Sequence, residues 1–185
     1  MADELPVFPL NAVLFPGGEM PLRIFELRYR RLADECGRNR PFVIVRIREG
    51  REAGEPAFTH ATGALVHFTE MVSQRDGTLG VMVLASERVA LTDFRIEADG
   101  LMKARARVLP ADAYVPVPDD LQPLADALEE QGDAVPDAGM LAWRLADGLP
   151  LDLDVRQQLL EENDAALRLE KVRTWLLRHP GWFVA

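Results

Sequence analysis

Hydrophobic positions along this chain change from a mainly strand-like to a helical period near Pro110, and that change divides it. Before Pro110 the pattern is that of strands and turns. Phe15-Pro16-Gly17-Gly18 is irregular, because Pro16 fixes its own φ and the two glycines admit positive φ. Glu19 to Ile24 follows as a short strand, which Pro21 restricts to an edge or a beginning. Tyr29, Leu32, Ala33 and Cys36 then fall at i, i+3, i+4 and i+7, the stripe of an amphipathic helix that Gly37 can close. Phe42 to Ile47 is β-branched and follows Pro41. Ala64 to Gln74 and Leu79 to Ala85 flank Asp76-Gly77, a hairpin signal, and Asp99-Gly100 joins VALTDFRI to LMKARARVL in the same way. VMVLA, within Leu79 to Ala85, shows no alternation. That predicts a strand crossing the buried centre, although a buried helical segment has the same pattern. Strands at this spacing, with one helix near the start, predict a twisted antiparallel sheet curling towards a barrel.

After the Pro-rich connector YVPVPDD, at 114–120, the period becomes helical. Leu121, Leu124, Ala125 and Leu128 mark a helix ending near Gly132. Met140, Leu141 and Leu145 mark a second, Val155, Leu159 and Leu160 a third, and Leu167, Leu169, Val172, Leu176 and Leu177 a fourth, halted by His179-Pro180-Gly181. Aspartate stands at these four starts, where a carboxylate accepts from free N–H groups and offsets the helix dipole. The division expected from this pattern is 1–113, rich in β-structure, and 114–185, helical.

Charge sharpens the division. Residues 1–110 contain 15 acidic and 15 basic side chains, and residues 111–185 contain 15 and 6, so all of the net −9 lies in the second part. A nucleic-acid binder normally carries a basic excess that displaces counterions, so nucleic acid is not an expected partner. No run of 18 apolar residues occurs, and the opening MADELPVFPL lacks a basic n-region and an apolar h-region. The expectation is a cytoplasmic protein without a membrane segment.

Candidate chemistry is sparse. The chain has two serines, two lysines, three histidines and the single Cys36, and none of GxxxxGK[ST], GxSxG, HExxH or CxxC occurs. Cys36 and His67 can be written as a thiol–imidazole pair, the basis of a small-molecule hydrolase as one alternative. The stripe position of Cys36 instead fits a small core hydrophobe. His60 and His67 have no third ligand placed by the sequence, so no metal and no cofactor are expected. Glu129-Glu130 and Glu161-Glu162 are consecutive on helices, point apart, and read as solvated faces. What remains is apolar surface: Phe8, Phe15, Met20 and Phe25 near the first turn, and Trp143, Trp175, Trp182 and Phe183 further on. Most such residues build cores, and some can form a groove for another polypeptide.

The segment from Leu5 to Leu32, LPVFPLNAVLFPGGEMPLRIFELRYRRL, resembles the start of the N-terminal substrate-binding domain of Lon proteases, which typically opens with LPLFPL, then V-x-FPG, then P-L-x-I-F-E-x-R-Y. ATGALVHFTEMVSQRDGTLGVMVLASERVALTDF is similar to that family's hairpin strands, and LPLDLDVRQQLLEENDAALRLEKVRTWLL to its helical end. The resemblance implies an α+β fold, a PUA-like β pseudo-barrel with one early helix followed by a C-terminal helical bundle. Leu27 stands where the family often has Pro, and Ser86 and Val89 where it tends to have Gly followed by basic residues. Lon proteases continue into an ATPase and a Ser-Lys peptidase; this chain, ending at Ala185, is expected to carry neither.

The expected function is therefore a non-enzymatic module that binds unfolded or damaged polypeptide segments, or a partner protein. The expected contact residues are Phe15, Pro16, Gly17, Gly18, Met20, Pro21, Leu22 and Arg23, with strand addition at GEMPL. A PUA-like RNA-binding module is the other alternative, and a homo-oligomer is compatible with the sequence.

Overall fold

A computed structural model describes residues 3–54 and 57–183, with the side chains of Trp182 and Phe183 outside the description. It is an α+β protein that separates into two compact units, Met1–Leu109 and Pro110–Ala185. The first contains β1 (Asp3–Leu10), β2 (Glu19–Ile24), α1 (Leu27–Cys36), β3 (Phe42–Glu49), β4 (Phe58–Thr59), β5 (Thr62–Ser73), β6 (Leu79–Ile96) and β7 (Met102–Val108). The second contains a 3-10 turn at Asp119–Leu121, then α2 (Gln122–Glu130), α3 (Ala138–Gly148), α4 (Leu153–Glu161) and α5 (Ala165–Arg178).

In the first unit the strand order is β1-β7-β6-β5-β3-β4, and β1 also pairs with β3, so five strands close into a ring. Among the described residues every strand pairing but one is antiparallel, as expected. The β1–β3 pairing is parallel, because the chain crosses through β2 and α1 before returning alongside β1. Pro6 and Pro9 within β1 obscure it as a strand, since each removes a ladder donor.

Two hydrophobic cores share these strands. Leu5, Val7, Val43, Val45, Leu65, Val89, Leu91, Met102, Ala104 and Ala106 form one. Alternate residues of the same strands, among them Phe8, Phe42, Ile44, Val66 and Phe68, form the other with Tyr29, Leu32 and Cys36 of α1. Phe42 to Val45 is thus buried on both faces, which is why FVIV has no alternation. VMVLA is different. Val81, Val83 and Ala85 are buried while Leu84 is exposed, so this stretch is half-buried and its uniform apolarity misstated its surroundings. Strand alternation builds the two cores, and single-residue register shifts move a strand's inward positions from one to the other. Ser86 has no opposite number between the pairs Leu65↔Glu87 and Val66↔Ala85, so Val89 and Leu91 face the other way from Val83 and Ala85. Thr69 is likewise extra, which turns Met71 onto the same core as Phe68 instead of the face of His67.

In the second unit Leu121, Ala125, Val135, Ala138, Leu141, Ala142 and Leu169 form the core, and α5 packs along α3. Asp137 accepts from the Met140 N–H at 2.8 Å, and Asp164 from those of Ala166 and Leu167 at 2.9 and 3.0 Å. Asp152 makes no such bond, nor do Asp119 and Asp120 cap α2, whose N-terminal flank is Leu121. Of the residues that mark α5, Leu167 and Leu177 are exposed and Leu169, Val172 and Leu176 are buried, and Val155, expected on the inner side of α4, is exposed. Arg168 is fully buried. Its guanidinium grips both oxygens of Asp112 at 2.6 and 3.0 Å, donates to the Glu162 carbonyl at 2.8 Å and lies 3.6 Å over the Trp143 ring.

Candidate functional site

The opening turn is anchored to the sheet. Gly17 adopts φ 79°, its N–H donates to the Ala85 carbonyl at 2.8 Å, and the Ala85 N–H donates back to Gly18 at 2.9 Å. Phe15 is completely buried, so the expectation that it offers contact surface is corrected: its side chain is interior. Pro16 and Gly17 are half-buried and Gly18 is buried. On β2, Met20 and Leu22, expected to offer apolar contact although one of them could equally be core, are half-buried and pack against the core beneath α1. Pro21 and Arg23 occupy the outward face. Arg23 is held by Asp76 and by the Thr78 hydroxyl. Among the described residues β2 pairs only with β6, so its other edge has no strand neighbour. The eight residues therefore do not converge on one apolar surface.

Such a surface lies elsewhere in the first unit. Phe58 on β4 and Phe94 and Ile96 at the end of β6 are 70%, 43% and 56% exposed, unusual values for residues of their size. With Ala57 and Met102 they line a cleft of about 420 Å³. Met102 also belongs to the core enclosed by β1, β3, β5, β6 and β7, so the cleft opens onto that core, a common position for a binding site in a barrel. Asp93 and Phe94 interrupt the β6–β7 register, with Asp93 at φ 51°, and this bulge places Phe94. β5 stops pairing with β6 at Ala90, so Thr92 to Ile96 have a strand neighbour on the β7 side alone among the described residues. The cleft thus combines large exposed apolar groups with an open strand edge. Sequence reasoning missed it because Phe58 is on a two-residue strand and the bulge that places Phe94 leaves no mark in the pattern.

Beside the cleft is a network of opposite charges. Arg31 bonds Glu35, Glu97 and Asp99; Lys103 bonds Glu35 at 3.2 Å and Glu97 at 3.4 Å; Arg95 holds Glu4. The Arg31 guanidinium, followed by Lys103, holds the Glu97 carboxyl below the usual carboxylate range, despite some desolvation. Arg31, Lys103 and Arg95 thus each meet at least one carboxylate within this network.

Cys36 and His67 do not form a catalytic pair. Cys36 packs in the core with Val66 and Phe68, and strand alternation turns the intervening His67 to the opposite face. Burial pushes the Cys36 thiol up to about 11, the reverse of what a nucleophile requires. Among the described residues no group of three or more His, Cys, Asp or Glu could hold a metal ion, and no helix is long and apolar enough to cross a membrane.

Comparison with known proteins agrees with the fold. The family described as the ATP-dependent protease La (Lon) substrate-binding domain matches residues 4–130. Lon protease 2 of Syntrophobacter fumaroxidans is 33% identical over 115 residues, 60% of this chain and 14% of that relative. Lon protease 2 of Herpetosiphon aurantiacus is 29% identical over 195 residues, 91% of this chain and 23% of that relative. The chain thus spans well under a third of these relatives' length. The crystal structure of a Lon N-terminal domain protein from Xanthomonas campestris superposes with a TM-score of 0.80 at 31% identity, covering 94% of this chain and 98% of that one. The N-terminal domain of a Mycobacterium avium complex Lon protease shares the fold, with a TM-score of 0.70 at 16% identity over 96% of this chain and all of that one. By its sequence match, and in a fold that these structures share, this chain belongs to the Lon substrate-binding domain family.

Proposed function

We propose that the chain is a non-enzymatic, cytoplasmic polypeptide-binding module whose cleft at Phe58, Phe94 and Ile96 takes extended apolar segments of unfolded or damaged proteins. The observation that carries this reading is the combination of exposed large apolar side chains with an edge of β6 that has no strand neighbour among the described residues. An extended segment adds to that edge through main-chain hydrogen bonds while its alternate side chains enter the cleft. Such recognition is tolerant of sequence, as a binder of unfolded chains requires. The family supports a role in substrate binding, and ATP hydrolysis and proteolysis have no part in this mechanism.

The test is fluorescence anisotropy with a labelled, permanently unfolded protein. Binding is expected to be saturable, and Phe58→Ser with Phe94→Ser to weaken it at least about tenfold, or ~1.4 kcal/mol, with the melting temperature kept. Pro21→Ser, on the outward face of β2, is the comparison. Loss of binding in that variant, with the cleft variant unchanged, transfers the site to β2.

A further inference from the structure

The second unit has an apolar groove of its own, outside the residues that the family matches. α4 and α5 are joined by only residues 162–164, and α5 packs along α3. The space between α4 and α5 is a groove of about 410 Å³, with Leu151, Val155 and Leu159 on one wall and Leu167, Val172 and Trp175 on the other. Val155 and Leu167 are 36% and 47% exposed, so its mouth presents apolar side chains to solvent.

Charge identifies what suits it. Residues 111–185 carry 15 acidic and 6 basic side chains. Arg144, Arg156, Arg168, Lys171 and Arg173 each hold a carboxylate within the same unit: Asp133, Asp147, Asp112, Glu162 and Asp120 respectively. Among the described residues lining the groove Lys171 is the one cation, and it stands 2.6 Å from Glu162. The groove therefore sits in a negative field with its own cation neutralised. Its walls favour apolar side chains and its surroundings favour Lys and Arg; acidic segments and anionic lipid surfaces are repelled.

We propose that this groove seats a cationic amphipathic helix of another polypeptide. α4 has 9 residues and is therefore about 14 Å long at 1.5 Å per residue. That length accommodates apolar anchors at i, i+3 or i+4, and i+7, which span roughly 11 Å, while the flanking cations of the bound helix face the acidic rim. A helix laid between two others meets the same ridge-and-groove geometry that packs helices within a domain.

Three labelled peptides test this with the full chain: an amphipathic Leu/Lys helix, the same helix with Glu for Lys, and a scrambled Leu/Lys sequence with no apolar face. The Leu/Lys helix is expected to bind saturably and at least about tenfold more tightly than either other peptide, weakening as salt rises from about 50 to 500 mM. Val155→Asn with Leu167→Asn is expected to weaken it about tenfold, and Phe58→Ser to leave it unchanged, which separates this groove from the cleft. Should the groove variant lose its melting temperature, Lys171→Gln decides, with an expected tightening of about threefold. Equal binding of the Glu peptide, indifference to the groove variant, or no tightening by Lys171→Gln overturns the proposal. Self-association of the chain that the groove variant abolishes also overturns it, since a second copy is then the occupant.

Discussion

Gly63 leaves no room for even a methyl group. A Cβ there would lie 2.6 Å from the Ile44 carbonyl oxygen and 3.0 Å from a Val43 methyl. Gly63→Ala is expected to lower unfolding stability by about 1–3 kcal/mol, the range for overpacking a tight core, measured by urea titration. Arg168 presents the opposite case, a charge that must keep its partner. Removing the guanidinium leaves Asp112 half-desolvated and strips the cover from Trp143. Arg168→Ala should cost about 3–5 kcal/mol, and Arg168→Lys a large part of that, because an ammonium cannot reproduce the two-pronged grip. Cys36 and Tyr29 give a pH signature. Burial pushes the thiol from 9.0 to about 11 and the phenol from 10.0 to about 12. Both folded-state values are raised, so the folded state holds these protons more firmly than the unfolded state. Their contribution is intact below pH 9 and is lost as pH rises through 11 and 12. Thermal melts across that range should fall steeply, with Cys36→Ala removing the earlier part of the decline. At this scale the sequence was informative about Cys36, whose stripe position already marked it as core. It was misleading about Phe15, Met20 and Leu22, since a turn and an edge strand do not reveal which side faces α1.

The two kinds of helix start in the second unit can be told apart by mutation. Asp164 accepts two backbone N–H groups, whereas Asp152 accepts none in its cap. Asp164→Ala should cost about 1 kcal/mol, and Asp152→Ala only the few tenths due to the helix dipole, both read by chemical denaturation. The sequence placed an aspartate at each start but could not specify the side-chain rotamer that makes a cap. Hairpins were legible because Asp76-Gly77 and Asp99-Gly100 supply the positive φ that such turns need: Gly77 is at 83° and Gly100 at 85°. The extra residues in the ladders, Ser86, Thr69 and the Asp93–Phe94 pair, were not legible. Each reverses the in-out order downstream, and a period-2 pattern carries no mark of where a bulge falls. VMVLA and FVIV look alike in sequence and differ in burial because a core covers each face of β3 at FVIV, whereas Leu84 of VMVLA faces solvent. The cleft is hidden for a related reason: Phe94 is aimed by a bulge, and Phe58 belongs to a strand too short to show a pattern.

For the whole molecule, the separation of charge predicts separate responses to acid. In the first unit the Glu35, Glu97 and Asp99 carboxyls lie below the usual range. For Glu97 and Asp99 the largest causes are a hydrogen bond from Arg31 and one from the Leu101 N–H respectively; for Glu35, desolvation is outweighed by Arg31 and Lys103 together. Lowered folded-state values contribute stability above the unfolded values, 4.5 for Glu and 3.8 for Asp, and that contribution is lost as pH falls through the folded ones. Melts below about pH 4.5 should fall in the native chain and fall less in Glu97→Gln, which has already lost its share. The second unit instead carries an acidic excess, so protonation there also relieves repulsion. The closure of the ring has a further consequence, for biosynthesis. β1 leaves the ribosome early, yet both its neighbours are distant: Val7 pairs with Val43, and Asp3 with Ala106. At translation rates of about 5–20 residues per second, β1 waits roughly 5–20 s for β7. Throughout that interval the nascent chain exposes the apolar faces of β1 and β3, so the protein itself first exists as the kind of segment proposed here as its ligand.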